Sequence, residues 1–385
     1  MLGARPFPRL FPNLQRIDAF ELYRKGENHM TPLPSGSSIG ILGGGQLGRM
    51  LSVAASRLGY KTHIFEPAID CPAGHVAHHV TTANYDDTAA LAEFARSVDV
   101  ITYEFENIPT QALDALEAVC PIHPNRRALA TSQDRLTEKE FLNGLGLATA
   151  PFRVVSNVTD LKSAITEIGP KAILKTRRFG YDGKGQVRLT SDADLDAAYA
   201  ELKGAPAVLE GFVDFSIEIS VIATRGQSGE VAAFDPGENV HRDGILRTTT
   251  IPANISAALR TDAVLLAGKI LNSLDYVGTL GVELFVTKQG LVVNEIAPRV
   301  HNSGHWTQDG TAIDQFEQHI RAITGWPLGN GSRYADVVME NLIGDDIDRV
   351  SELAAKPDVA VHLYGKAETR MGRKMGHVNR ITPRT

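Results

Sequence analysis

Between Lys175 and Gln186 the chain reads KTRRFGYDGKGQ, with three glycines (Gly180, Gly183, Gly185) and four cations (Lys175, Arg177, Arg178, Lys184). Glycines let backbone N–H groups turn toward an anion, and the cations neutralise it. The pattern is not G-x-x-x-x-G-K-[ST], because Gly185 rather than Ser or Thr follows Lys184 and no helix opens there. Short apolar segments on either side, Ala172 to Leu174 and Val187 to Leu189, read as strands. A glycine loop between two strands is a flap that can close over a phosphate-bearing ligand.

A second constellation is VELFVTKQGLVVNEIAPRVHNSGHW, residues 282–306. Two runs of alternating apolar residues flank the turn Thr287–Gly290, which predicts a hairpin. Glu283 and Glu295 lie almost symmetrically about that turn, so antiparallel pairing sets them opposite each other or within one residue of it. Two unpaired carboxylates there would repel. A divalent cation shared with a polyphosphate removes that cost, and Mg²⁺ favours one or two carboxylates plus phosphate oxygens. Strict alternation points Asn294 to the face opposite Glu295, so a shared role requires a twist or a bulge. The following loop, Pro298–Trp306, presents Arg299, His301, Asn302, Ser303 and His305. Arginine offers a planar fork for a carboxylate-like anion, and an imidazole can donate to that anion or move a proton. The bland alternatives are solvated strand acids and a surface histidine.

These groups must be held by regular elements. Ser38–Leu42 reads as a buried strand, followed by GGGQLGRM, in which Gly43, Gly45 and Gly48 fit G-x-G-x-x-G. Apolar residues at Leu47, Met50, Leu51, Ala54 and Leu58 have helical spacing, and Lys61 to Phe65 is a second strand ending at Glu66. This βαβ unit places a glycine turn at a helix N-terminus, where a dinucleotide (with Glu66 on a ribose) or a mononucleotide phosphate can sit, or where the glycines simply allow close helix packing. Val98–Tyr103 and Thr110–Val119 continue a doubly wound parallel domain over residues 38–138. From Asn125 to Gly144 the pattern is helical and rich in charge; Arg135 and Lys139, four apart, share a face for which solvation is the ordinary expectation. Further strands are expected at Ala207–Glu210 and Ile217–Ala223, and a helix at Thr261–Leu274.

Composition sets outer bounds. At 385 residues the chain needs two or three domains. A net charge of −6 argues against a general nucleic-acid binder, so an anionic ligand must meet a local positive cluster. Cys71 and Cys120 are the only cysteines, which excludes a disulfide framework and a cysteine-built zinc site and fits the reducing cytoplasm. No apolar run approaches the length of a membrane span. Residues 1–37 carry Arg5, Arg9 and Arg16 before the first acid, Asp18, and end in the linker-like TPLPSGS. They are expected to be a disordered or non-native extension, with Met30 just ahead of the regular structure.

GYDGKGQ, the ELFV…NEIAPR hairpin, HRDGILRTT and APRVHNSGHWTQDG together resemble the ATP-grasp superfamily. Within it, ILGGGQLGRML, TYEFENIP, HNSGHWTQ and GRKMGHVN are similar to the N5-carboxyaminoimidazole ribonucleotide synthases of purine biosynthesis, from about Ile39 to Asn379. The resemblance implies a mixed α/β and α+β fold: a doubly wound N-terminal domain, ATP-grasp lobes over 139–332 and a small C-terminal domain over 333–385. That last domain is expected to be incomplete, because the chain stops soon after GHVN. It implies an ATP- and bicarbonate-dependent ligase that is usually dimeric, with ATP and Mg²⁺ as cofactors.

Residue by residue, the resemblance puts Arg135, Lys175, Gly180, Tyr181, Asp182, Gly183, Lys184, Gly185, Gln186, Glu210, Gly211, Phe212, Val213, Glu218, His241, Asn294 and Glu295 at the nucleotide, and Glu283 with Glu295 at Mg²⁺. Arg299, His301 and Asn302 would hold bicarbonate and its phosphorylated product, with Lys184 screening the transferred phosphoryl group. Gln46, Leu47, Glu106, Tyr181 and Asp182 would contact the aminoimidazole ribonucleotide, and Lys366, Arg373 and Lys374 its 5′-phosphate. Other readings are a sister ATP-grasp enzyme (a formate-dependent glycinamide ribonucleotide transformylase or a biotin carboxylase), a nicotinamide dehydrogenase, and a non-catalytic nucleotide-binding regulator. HNSGHW argues against the first, and the hairpin carboxylates against the second.

Overall fold

The computed structural model describes residues 31–180, 183–190 and 193–384. Residues 1–30 of the expected extension, and the site candidates Tyr181 and Asp182, lie outside the described residues.

The first unit runs β1 (Ser38–Leu42), α1 (Gln46–Arg57), β2 (Lys61–Phe65), β3 (His79–Thr81), α2 (Thr88–Arg96), β4 (Val100–Tyr103) and α3 (Thr110–Glu117). Its sheet has the order β3-β2-β1-β4 and is parallel throughout. β1 and β4 are almost wholly buried, as a parallel sheet covered by helices requires. Residues 31–37, read from sequence as linker, are instead tied down. Leu33 packs on the α1 core, its N–H donates to Thr324 O (2.9 Å), and its carbonyl accepts from Tyr60 Oη (2.7 Å). Three polar residues among seven hid an apolar anchor.

The charged helical stretch after Asn125 is two helices, α4 (Arg126–Ser132) and α5 (Arg135–Gly144). Asp134 breaks it: its carboxylate caps α5 by accepting from Leu136 N (2.9 Å) and Thr137 N (3.3 Å). A four-stranded antiparallel lobe follows, built from β5 (Phe152–Val155), α6 (Val158–Ile168), β6 (Ala172–Thr176), β7 (Gln186–Leu189), α7 (Leu195–Glu201) and β8 (Ala207–Gly211) in the strand order β5-β8-β6-β7. The glycine loop joins β6 to β7, so the flap sits at a sheet edge. Gly185 holds its base: its carbonyl accepts from Thr176 N (2.8 Å), and at φ +70° a Cβ would meet Thr176 Oγ1 at 2.6 Å.

The third sheet contains β9 (Ile217–Arg225), β10 (Val231–Ala233), β11 (Gly237–Arg242), β12 (Ile245–Ile251), β13 (Gly278–Thr287) and β14 (Gly290–Ala297), with α8 (Ala257–Ser273) packed on it. After the short α9 (Thr307–Gly310) and α10 (Gln315–Thr324), β15 (Ala335–Ile343), α11 (Val350–Ala354), β16 (Val359–Leu363) and β17 (Lys374–Pro383) extend the same sheet. Its order is β14-β13-β9-β11-β12-β15-β17-β16, with β10 paired to β9. β15 pairs directly with β12, so one sheet joins strands from either side of the expected boundary between residues 332 and 333. His319 on α10 joins this sheet to the first: one ring nitrogen accepts from Thr279 N (3.1 Å) and the other bonds Thr102 Oγ1 (2.8 Å).

Candidate active site

The β13–β14 hairpin carries the predicted carboxylates. Glu283 pairs directly with Glu295, and the register then shifts, so that Leu284 faces Val293. Asn294 is therefore the extra residue of a β-bulge, which solves its alternation problem: it turns onto the acid face and donates from Nδ2 to Glu283 Oε2 (3.3 Å). Burial and the neighbouring Glu295 push the Glu283 carboxyl up to about 7. Two acids held side by side, with Arg135 against only one of them, suit a divalent metal. Among the described residues no group of three or more His, Cys, Asp or Glu could hold a metal unaided. The pair thus fits an ion whose remaining ligands are phosphate oxygens and water.

The loop beyond β14 comes back against this hairpin. Arg299 ion-pairs with Glu106 (2.7 Å) and donates from Nη1 to Val300 O (3.1 Å). His301 Nε2 lies 3.7 Å from Glu283 Oε1, and Nδ1 is 2.8 Å from Ser303 Oγ. Burial, with Arg299 nearby, lowers the His301 pKa well below the ordinary value, so the ring is neutral. Both polar atoms of the Asn302 amide are buried, line the cleft and have no hydrogen-bond partner. A buried unpaired amide that lines a cleft is suited to pair with a polar ligand there. His241 and Glu218 meet at 2.5 Å. Burial would lower His241, but the Glu218 hydrogen bond and the Glu283 charge outweigh it and raise its pKa.

On the other wall, Lys175 Nζ bonds Glu210 Oε2 (2.9 Å). Arg135 Nη1 approaches Glu295 Oε2 (3.6 Å), linking the α5 N-terminus to the hairpin. Glycines 180 and 183, Lys184 and Gln186 of the flap close the cleft from above. The cavity measures about 510 Å³, room for a nucleotide and a second small substrate. Gln46, Leu47, Glu106 and Lys374 share its floor with Arg299 and Asn302.

Not every predicted residue faces this cavity. Gly185, Glu210, Gly211, Phe212, Val213, Glu218, Lys366 and Arg373 lie outside its lining. Glu210 and Glu218 act on lining residues through Lys175 and His241. Phe212 is exposed beneath the Arg188 guanidinium (4.9 Å). Lys366 donates to Lys374 O (2.7 Å), and Arg373 to Glu368 O (2.8 Å).

The glycine turn of α1 holds a buried acid that sequence reasoning missed. The Glu104 carboxylate accepts from Gly45 N and from Gly48 N (2.6 Å), while Gly44 N donates to Glu66 Oε2 (2.8 Å). Gly43, at φ +107°, has no room for a side chain, because a Cβ would meet Glu104 Cγ at 2.4 Å. The helix N-terminus is already occupied by the protein's own anion, and Glu66 is spent on the turn. A dinucleotide pyrophosphate would have to displace both, which removes the dehydrogenase reading. The only signal was its place directly after the strand ending at Tyr103, beside the glycine turn that follows β1. Glu138 was also missed: its Oε1 accepts from Ile296 N (2.7 Å), and burial beside Glu295 pushes it up to about 8. Lys139, read as solvated, is buried against Glu210 (3.1 Å).

Comparison with known proteins covers most of the chain. Residues 37–133 match the ribonucleotide synthetase preATP-grasp domain, 140–316 the ATP-grasp domain, and 337–385 the phosphoribosylaminoimidazole carboxylase C-terminal domain. The N5-carboxyaminoimidazole ribonucleotide synthase of Brucella melitensis is 57% identical over 92% of this chain and 99% of its own. The chain belongs to the N5-carboxyaminoimidazole ribonucleotide synthase family. The synthase of Bacillus subtilis is 42% identical over 89% of this chain and 91% of its own. Among solved structures, the Staphylococcus aureus synthetase with ADP superposes at TM-score 0.88, with 41% identity over 92% of this chain and 95% of that one. The Aspergillus clavatus synthase in complex with ADP and 5-aminoimidazole ribonucleotide superposes at 0.86, with 31% identity over 91% and 94%. This family places the chain among the ATP-grasp ligases, with the α/β and α+β architecture described above.

Proposed function

We propose that this chain carboxylates 5-aminoimidazole ribonucleotide to N5-carboxyaminoimidazole ribonucleotide, consuming ATP and bicarbonate and releasing ADP and phosphate, in de novo purine biosynthesis. The observation that carries the reading is the meeting, in one cleft, of the bulged carboxylate hairpin, the Arg299–Asn302 loop, the glycine flap and the Gln46–Leu47 turn. Mg²⁺ held by Glu283 and Glu295 would supply charge neutralisation for a polyphosphate. Asn294 fixes the Glu283 carboxylate for that role, and Arg135 steadies Glu295.

In this reading a bicarbonate oxygen attacks the γ-phosphorus, the bond to the ADP oxygen breaks, and carboxyphosphate forms. Lys175 and Lys184 screen the charge of the transferring group, and an in-line transfer of this kind rests on positioning and electrostatics. Arg299 presents its planar fork to the carboxylate end, aimed by Glu106, and the unpaired Asn302 amide completes the anion pocket. The neutral His301 sits between the acids and that pocket as a hydrogen-bond partner. The exocyclic amine of the ribonucleotide, lying over Gln46 and Leu47, then attacks the carbonyl carbon of carboxyphosphate or of the CO₂ it releases. A C–N bond forms, phosphate leaves, and the amine loses a proton. The flap excludes water from the short-lived carboxyphosphate.

The further nucleotide contacts proposed are Tyr181 and Asp182 in the flap sequence and, outside the lining, Gly185, Glu210, Gly211–Val213 and Glu218, which meets the lining residue His241. Lys374, with Lys366 and Arg373 on the same loop, would take the 5′-phosphate. A homodimer in the cytoplasm belongs to the same reading; among the described residues no helix is long and apolar enough to cross a membrane. The test is ADP release with Mg²⁺, omitting bicarbonate and the aminoimidazole ribonucleotide in turn. Release that needs both supports the reading, whereas release driven by formate, or by biotin with bicarbonate, points to a sister enzyme.

A further inference from the structure

Helix α5 stands between the two sheets that form the cleft, and one of its faces touches both. Arg135, Glu138 and Lys139 fall at i, i+3 and i+4 and so share that face. Arg135 reaches Glu295 (3.6 Å) and Glu138 accepts from Ile296 N (2.7 Å), both on β14 of the large sheet. Lys139 reaches Glu210 (3.1 Å) on β8 of the small lobe. The helix N-cap adds a third tie, because Asp134 pairs with Arg177 (2.8 Å) just beyond β6.

Lys139 is the unusual member. Its side chain is 2% exposed, and lysines are almost never fully buried unless paired. Its partner is shared: Glu210 Oε1 faces Lys139, and Oε2 bonds Lys175 Nζ at 2.9 Å. The Lys139 contact is close in distance but not aligned as a hydrogen bond, and neither Lys139 Nζ nor Glu210 Oε1 has a hydrogen-bond partner among the described residues, although Nζ also lies over the Phe152 ring (5.8 Å). Burial alone would raise the Glu210 pKa, yet Lys175 and Lys139 together bring it below the ordinary value. One carboxylate thus serves two ammonium groups in a buried place, an excess of one positive charge among these three groups, of which Lys175 lines the cleft.

We propose that Lys139 is a positioning residue for the nucleotide, acting through Glu210 on Lys175. While Glu210 is divided between two cations, Lys175 keeps N–H donors for the ligand in the cleft. Without Lys139, the whole carboxylate charge falls on Lys175 and draws it toward β8. The same removal loosens the tie between α5 and the small lobe, so the flap-bearing sheet loses its fixed distance from the hairpin. The excess positive charge explains the arrangement: a polyanionic ligand completes the neutralisation that the protein leaves undone.

The inference rests on the reading of the cleft as the ATP site. Its test uses the full chain and ADP as the probe, with Lys139→Met, Glu210→Gln and the double variant. Lys139→Met is expected to weaken ADP binding and raise the KM for ATP roughly tenfold or more, with the KM for bicarbonate unchanged; a tenfold change is about 1.4 kcal/mol. In the Glu210→Gln background, Lys139→Met should add little, because residues in one network do not add. Should Lys139→Met fail to fold, Lys139→Gln keeps a polar end group one atom shorter and without the charge, and the same weakening is expected of it. Unchanged ADP affinity in a folded Lys139 variant overturns the proposal, and so does a full additive loss on top of Glu210→Gln. Ribonucleotide- and bicarbonate-dependent ADP release by the unaltered chain tests the underlying reading separately: its failure would condemn the ATP site itself, not the role of Lys139.

Discussion

Arg299→Lys is the substitution that separates bicarbonate activation from nucleotide binding. Arg299 spends one arm on Glu106 (2.7 Å) and one on the Val300 carbonyl (3.1 Å), at a side chain only 19% exposed. Burial works against its charge, but Glu106, Glu295 and Glu104 hold the guanidinium charged and its pKa above the ordinary value. A lysine keeps the charge and can still meet Glu106. It cannot keep the backbone tether and also present a second, coplanar donor to an anion. The loss is one charge-assisted hydrogen bond to the bound anion, worth about 1.5–3 kcal/mol. At about 1.4 kcal/mol per decade, kcat/KM for bicarbonate should fall about 10- to 150-fold. ATP affinity should hold, since among the described residues the Arg299 side chain bonds only Glu106 and Val300 O, neither on α5 nor on the flap. The assay is ADP release against bicarbonate concentration at saturating ATP and ribonucleotide, with thermal melting alongside. A lower melting temperature with unaltered bicarbonate dependence would refute the reasoning. Arg299 would then be a structural partner of Glu106, and the anion site would move to the flap cations Lys175 and Lys184.

Three further outcomes are expected. Glu295→Gln should cut turnover by about 10²–10³, the usual worth of one electrostatic group at a transferring phosphoryl, while leaving the melting temperature near that of the parent; near-parental turnover at limiting Mg²⁺ would remove Glu295 from the metal site. Protease cleavage near Lys184 should be suppressed by an ATP analogue with Mg²⁺, because Gly183 and Gly185 let the loop close, and equal cleavage with and without nucleotide would count against a lid. Stability should fall on acidification: burial lowers His319 from 6.5 to about 3, so the unfolded chain takes up a proton first as pH drops below about 6.5 and the loss grows until pH nears 3. Melting temperature against pH checks this, and His319→Gln, which keeps a polar group between Thr102 and Thr279 but cannot titrate, should flatten part of the slope.

What could be read in the sequence was what lies close along the chain. The hairpin acids were legible because a four-residue turn fixes which residues face each other, and the flap because its glycines and cations are contiguous. Element types followed from period and punctuation, though the break at Asp134 was hidden inside a stretch of uniformly helical composition. Asn294 shows where strict alternation stops: one inserted residue, set by pairing with β13, moves a side chain to the other face, and no local pattern announces it.

The buried charges were out of reach for a different reason. Glu104 sits on the glycine turn only because β4 lies beside β1, and Lys139 is buried only because β8 comes from another sheet to meet α5. Charge on a predicted helix defaults to solvent when the partner is 71 residues away, which is the separation of Lys139 and Glu210. The same long-range pairing is what lets the site work. A cleft that binds a polyphosphate between two sheets needs fixed charges that span them, held in place by shared partners that leave part of the cationic charge for the ligand. Residues doing that carry no motif of their own. They are found by asking, for each buried charge, which partner neutralises it and what remains over.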